Sequence, residues 1–252
     1  MTTAATPLST TREPELLGQT VVVIGGSAGI GFATAQRARA EGAEVILIGR
    51  NPEHLARAAA EVEARGSAAF DANDEDALRR FYEGLPEPID HVMITAGGPS
   101  YRPLLEMDAR EVREALGSHP VVALQVARHA APRMRAGGTL VLMGGVTGGG
   151  PRSAPGIATA AFAAIPPFTA ALALELAPVR VNLITAGFVD TRLTASLLGD
   201  QIDARREELR RTLPIRRVVE PEDVAALAIH IMVNTALTGA TFEIDGGQQL
   251  IG

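Results

Sequence analysis

Lysine, cysteine and tryptophan are absent from these 252 residues, and tyrosine occurs only as Tyr82 and Tyr101. All 23 basic side chains are therefore arginines, scattered along the chain, and the 29 acidic residues leave a formal net charge of −6. That balance argues against a nucleic-acid surface and against a polybasic membrane anchor. Without cysteine there is no disulfide framework and no thiolate metal site, which is compatible with a reducing cytoplasm, the expected location. The five histidines (His54, His91, His119, His129 and His230) fall on different expected elements without ligand spacing, so no metal site is expected. No composition break divides the chain, whose length suits one α/β domain with a sizeable core. Residues 1–18 are polar and threonine-rich, lack the apolar centre of a signal peptide, and read as a mobile tail before a domain at 19–252.

Charge is also missing locally, between Arg152 and Glu175. About 20 apolar residues can span a bilayer. This stretch, however, is mostly alanine, carries Thr159, Thr169 and Pro166-Pro167, and lies between two expected strands. It reads as a buried or interface helix with no membrane role, kinked or broken where the prolines remove backbone donors.

Against these absences stands Val21-Val22-Val23-Ile24-Gly25-Gly26-Ser27-Ala28-Gly29-Ile30-Gly31, a buried apolar strand that breaks into glycines. Missing side chains at Gly25, Gly29 and Gly31 let the backbone turn sharply and approach a pyrophosphate. A following helix, Phe32 to Ala40 and stopped at Gly42, would present its N-terminal N–H groups to the anion. A second strand, Glu44 to Ile48, completes a βαβ unit. Further strands are expected at Ala68 to Phe70, Asp90 to Thr95, Thr139 to Met143, Arg180 to Thr185 and Thr241 to Ile244, with helices between them. The fold class is thus α/β, a doubly wound, mostly parallel seven-stranded sheet covered on both faces. Gly144 to Gly150, just past a strand end where such sheets place ligands, is either part of a site or a flexible connector.

The end of the second strand bears on cofactor choice. A carboxylate there holds a ribose 2′-OH, whereas an arginine accommodates a 2′-phosphate. The chain reads Gly49-Arg50-Asn51, with no acid to repel phosphate and with Ser27 able to add a hydroxyl. NADP(H) is expected in preference to NAD(H).

In this order and spacing the residues resemble the short-chain dehydrogenase/reductase family, from about Gly18 to the C-terminus. The nucleotide loop is similar to the family's Thr-Gly-x-x-x-Gly-x-Gly with Ile24 for threonine. Phe70-Asp71-Ala72 resembles the segment whose aspartate meets the adenine, and Thr95-Ala96-Gly97 the end of Asn-Asn-Ala-Gly. The run 171–177 followed by Arg180-Val181-Asn182 looks like the helix and strand before the family's Pro-Gly turn, here Ala186-Gly187-Phe188-Val189-Asp190-Thr191. Pro221 to Ala225 and Thr238 to Gly247 resemble its closing segments. The resemblance implies cofactor contacts from the glycine loop, including Ala28 and Ile30, and from Asn51, Asp71, Ala72, Ala96, Gly97, Gly187, Val189 and Thr191. It also implies a small-molecule substrate and a homodimer or homotetramer through the charge-free helix.

The family's relay of tyrosine, lysine, serine and asparagine is missing. Registered on the flanking motifs, Ala158 stands at the tyrosine position, Phe162 at the lysine, Gly145 at the serine and His119 at the asparagine. No shift of register creates Tyr-x-x-x-Lys in a chain without lysine. A positioned acid or base is worth about 10²- to 10⁴-fold, roughly 3–5 kcal/mol of barrier. Ordinary carbonyl reduction should therefore suffer, while an iminium acceptor, already cationic, needs no proton. Three readings follow: an NADP-dependent reductase with His119 or Tyr101 as unusual proton donor, or none; a nucleotide-binding pseudoenzyme; and a non-redox isomerase or cyclase using the pocket of Gly145, Ala158 and Phe162.

Overall fold

The computed structural model describes residues 13–85, 88–98, 102–146 and 156–251. Its centre is β1 (Thr20–Ile24), five residues that are all buried because both faces of the strand are covered. Val22 and Ile24 point to one side, against α3 (Glu75–Glu83), α4 (Ala109–Ala130), α5 (Ile157–Ala163) and α6 (Ile165–Glu175). Val21 and Val23 point to the other, against α1 (Gly29–Ala40), α2 (Pro52–Glu61) and α9 (Pro221–Val233). The sheet adds β2 (Glu44–Gly49), β3 (Gly66–Ala69), β4 (Ile89–Ile94), β5 (Met134–Gly145), β6 (Arg180–Ala186) and β7 (Thr241–Ile244). The strand order is β3-β2-β1-β4-β5-β6-β7 and every pairing is parallel, so the strands all end on one edge. The seven-stranded doubly wound sheet expected from the sequence is present.

Several boundaries differ. The first helix begins at Gly29 rather than Phe32, because the loop glycines already form its first turn. β3 covers Gly66–Ala69 rather than 68–70, although Phe70 N–H still donates to Gly49 O at 3.1 Å. β5 starts at Met134, five residues before the expected Thr139, through exposed residues whose pattern carries no burial signal. The uncharged stretch is broken at Ala164, and Pro166 and Pro167 sit in the first turn of α6, where no N–H is required. Residues 157–175 are apolar and long enough to cross a membrane by length and composition, with mean hydropathy 1.8. Here they form two helices packed on the sheet. Of the expected mobile tail, residues 13–18 belong to the domain. Leu16 is fully buried, its N–H donates to Glu41 O, and Gly18 N–H donates to Gly42 O.

Candidate functional site

The chain leaves β1 through Gly25, whose φ of +89° suits glycine, and the N–H groups of Gly25 and Gly26 donate to Ile48 O at 2.9 and 3.1 Å. Close packing then fixes the next glycine. A β-carbon on Gly31 would stand 2.4 Å from Gly25 O and 2.6 Å from Thr95 Oγ1. Thr95 itself, 3.0 Å from Ile24 O and 3.3 Å from Gly25 O, shares its hydroxyl proton between them and pins the end of β4 to the loop. Ala28 at the N-cap of α1 has no side-chain acceptor and the first turn has no acid, so the leading N–H groups and the positive dipole end are unclaimed by side chains. This cradle fits a dinucleotide pyrophosphate.

The other expected contact residues follow the ends of β2, β3, β4 and β6. A β-carbon at Gly49 would lie 3.2 Å from Ser27 Oγ, which places Ser27 against the end of β2, one residue before the exposed Arg50. Asn51 caps α2 by accepting from His54 N–H at 2.9 Å, so its side-chain oxygen is committed. Asp71 accepts from the N–H of Asn73 at 2.9 Å and from its side chain at 2.8 Å. The backbone donor first, then the amide and the nearby Arg50 charge, hold the Asp71 carboxyl below its ordinary range. Ala72 is buried behind it, and Ala96 and Gly97 follow β4. After β6, Gly187 and Val189 lead to Thr191, whose methyl would be 3.4 Å from a β-carbon on Gly29. The exit of β6 thus meets the start of α1.

Three of the positions expected for the relay, Gly145, Phe162 and His119, lie together. A β-carbon on Gly145 would be 2.4 to 2.9 Å from atoms of the Phe162 ring, so the ring lies directly over the glycine. His119, in the middle of α4 beside Pro120, meets Phe162 edge-on with centroids 5.2 Å apart and planes at 70°. Its Nδ1 is 3.1 Å from Ser118 Oγ, which donates to Ala115 O at 3.0 Å. Burial pushes the imidazole pKa below its ordinary value. The pocket expected from Gly145, Ala158 and Phe162 is not open among the described residues. Ala158 and Phe162 are buried, and what remains nearby is a cavity of about 10 Å³ lined by Ala96, His119, Met143 and Ile165 among others. The Phe162 ring fills the space rather than emptying it, leaving room for roughly one water. Tyr101 lies outside the described residues.

A relationship that sequence reasoning missed lies beside Thr191. Asp190 receives a two-pronged ion pair from Arg206 of α8 (Ile202–Thr212), with both N···O distances 2.7 Å. It ties α8 to the turn that carries Val189 and Thr191, from which α7 (Arg192–Leu198) starts. The partners are 16 residues apart, and no periodicity links them. A larger hollow of about 370 Å³ beside β7 has its carboxylates committed: Asp223 to Arg217, Glu243 to the Gln249 amide, and Asp245 to the N–H groups of Gly247 and Gln249.

Comparison with known proteins agrees with this geometry. A family model described as enoyl-(acyl carrier protein) reductase matches residues 25–249. The chain is 27% identical over 250 residues to the short-chain dehydrogenase/reductase ATR9 of Stachybotrys chlorohalonatus, covering 93% of this chain and 98% of that protein. The structure of the MalC reductase/Diels-Alderase from Malbranchea aurantiaca superposes with a TM-score of 0.87 at 25% identity, covering 95% and 99% of the two chains. L-Sorbose reductase from Gluconobacter frateurii, solved with NADPH and L-sorbose, gives a TM-score of 0.84 at 25% identity over 94% and 99%. With the parallel sheet, the glycine cradle and the converging strand ends, these matches place the chain in the short-chain dehydrogenase/reductase family, with a site for a nicotinamide nucleotide.

Proposed function

We propose that this chain binds NADP(H) in preference to NAD(H) and reduces a small molecule that is already polarised or cationic, such as an iminium, without a proton donor from the protein. The observation that carries the reading is the Phe162 ring over Gly145: an apolar plug stands where a relay would need polar groups. Bound NADPH supplies the hydride. The glycine cradle and the start of α1 hold the pyrophosphate, Ser27 and Arg50 receive the 2′-phosphate, Asp71 and Ala72 border the adenine, and Gly187, Val189 and Thr191 hold the nicotinamide end. Hydride addition to a ketone leaves an alkoxide that must be protonated, and the described wall offers no acid of suitable pKa. Addition to an iminium leaves a neutral amine.

Assembly follows from surface rather than site. Leu116, Val121 and Leu124 of α4 and Leu174 of α6 are exposed apolar side chains, and α5 and α6 contain no charge before Glu175. This supports a homodimer or homotetramer with α4 and the α5–α6 pair in the contact. We place the protein in the cytoplasm. A second reading draws on the Malbranchea neighbour, whose name joins a reductase to a Diels-Alderase. In it the chain guides a ring-forming reaction in which the nucleotide serves only as part of the wall. A panel of ketones, iminium ions and activated alkenes followed by NADPH absorbance separates them. Turnover confined to cationic or strongly polarised acceptors supports the reductase. Silence across the panel despite tight NADPH binding favours the non-redox reading.

A further inference from the structure

The tautomer of His119 follows from its neighbours. Ser118 Oγ is 3.0 Å from Ala115 O, and two oxygen lone pairs do not face each other at that distance, so the hydroxyl proton lies between them. The serine then has only lone pairs left for His119 Nδ1 at 3.1 Å, and the proton of that contact must come from the imidazole. In the neutral ring Nε2 therefore carries a lone pair and no proton. It faces the bend after β4, 3.4 Å from where a β-carbon on Gly97 would be, and no hydrogen bond among the described residues uses it. The surrounding wall of Ala96, Met143, Phe162 and Ile165 brings no charge.

Building on the hydride-transfer reading above, we infer that His119 offers Nε2 to the substrate as a hydrogen-bond acceptor, and that the acceptor class is a protonated imine, an iminium carrying its own N–H. In the step that follows, the iminium carbon takes hydride from NADPH and the C=N π pair returns to nitrogen. The nitrogen keeps its proton, and amine and NADP⁺ result. His119 neither gives nor takes a proton. It orients the C=N bond and selects for N–H. An alcohol O–H also matches a lone pair, but its oxidation would require the imidazole to take up that proton, and burial holds the His119 pKa below its ordinary value. A ketone oxygen facing Nε2 meets lone pair with lone pair.

The test uses the full-length protein saturated with NADP⁺ and two saturated amine probes, pyrrolidinium, which has N–H, and N,N-dimethylpyrrolidinium, which has none. Calorimetric titration is expected to give at least a tenfold preference for pyrrolidinium, the size of a hydrogen bond to a charged donor. His119→Gln, whose amide oxygen also accepts, is expected to keep most of that preference, and His119→Phe to reduce it to within about twofold of unity. In ¹⁵N-labelled wild-type protein, the His119 resonances are expected to show a protonated Nδ1 and a bare Nε2. Equal binding of the two probes, a preference that survives His119→Phe, or a proton on Nε2 overturns the inference. If the wild type shows the N–H preference but reduces no iminium, the hydride reading falls and takes the iminium acceptor with it, and only the Nε2 contact to an N–H cation stands. If iminium ions are reduced with no N–H preference, only this one falls.

Discussion

Gly145 and Phe162 form a single packing unit: any β-carbon at 145 would come within 2.4 Å of the ring at 162. A side chain at 145, the expected serine position, therefore cannot be introduced while the ring stays in place. Gly145→Ser is expected to destabilise the protein by about 1–3 kcal/mol, the usual cost of overpacking a filled interior. In a Phe162→Ala background the same change should cost well under half as much. Denaturant titration of the four proteins in the double-mutant cycle measures the coupling. Additive effects would mean that the ring moves aside freely.

Arg50 is expected to set the cofactor preference. A charge-assisted contact to a 2′-phosphate contributes about 1.5–3 kcal/mol, so NADPH should bind at least about tenfold more tightly than NADH. Arg50→Ala should remove most of that difference and leave NADH binding unchanged. Calorimetry showing a preference untouched by the mutation would take Arg50 out of the site.

The fold and the cofactor cradle were legible in the sequence because they rest on local signals. The run Val21 to Gly31 joins a buried strand to glycines at turn spacing, and apolar runs give strand ends at Ile48, Thr95 and Thr185, each one residue from the observed Gly49, Ile94 and Ala186. The relay region was legible only as a set of absences. Phe162, expected at the lysine position, reads in the sequence as a lost group, and only the fold shows that its ring fills the space over Gly145, a contact across 17 positions of chain. Ser118 looks like any helix serine until its bond to Ala115 O fixes the neighbouring imidazole. The Asp190–Arg206 pair depends on how α8 folds back, and β5 extends to Met134 by pairing with its neighbours rather than by hydrophobic pattern.

Buried histidine gives the protein a predictable acid limb. His91, 3% exposed, contacts Gln19 Oε1 at 2.7 Å through Nε2, and burial, with the Arg180 charge adding to it, pushes its pKa down to about 3 from 6.5. The unfolded chain therefore binds a proton that the folded protein refuses between those values. Stability is full above the unfolded pKa and falls as pH drops through 6.5 toward 3, by up to about 5 kcal/mol from this group. Urea denaturation between pH 7 and 4.5 should show a steeper loss for the wild type than for His91→Gln. Parallel slopes would mean that His91 is protonated in the native state.

Leu174, 83% exposed on α6, is the side chain in this surface that most needs a cover. Leu174→Arg is expected to shift the protein toward monomer in light scattering at micromolar concentration, with the Asp190–Arg206 tie and the cradle unaffected. A wild type that is already monomeric would remove this face from any assembly.

The central claim is that this site transfers hydride without supplying a proton, and it is tested most directly by one ratio. With NADPH held saturating, kcat/KM is measured for a cyclic protonated imine and for the ketone of the same ring skeleton. Loss of a positioned acid costs the ketone about 10²- to 10⁴-fold, and the cationic acceptor is spared that cost. The account predicts a ratio of at least about 10² in favour of the imine. A ketone reduced within tenfold of the imine would show that a proton donor operates in this site, and would contradict it.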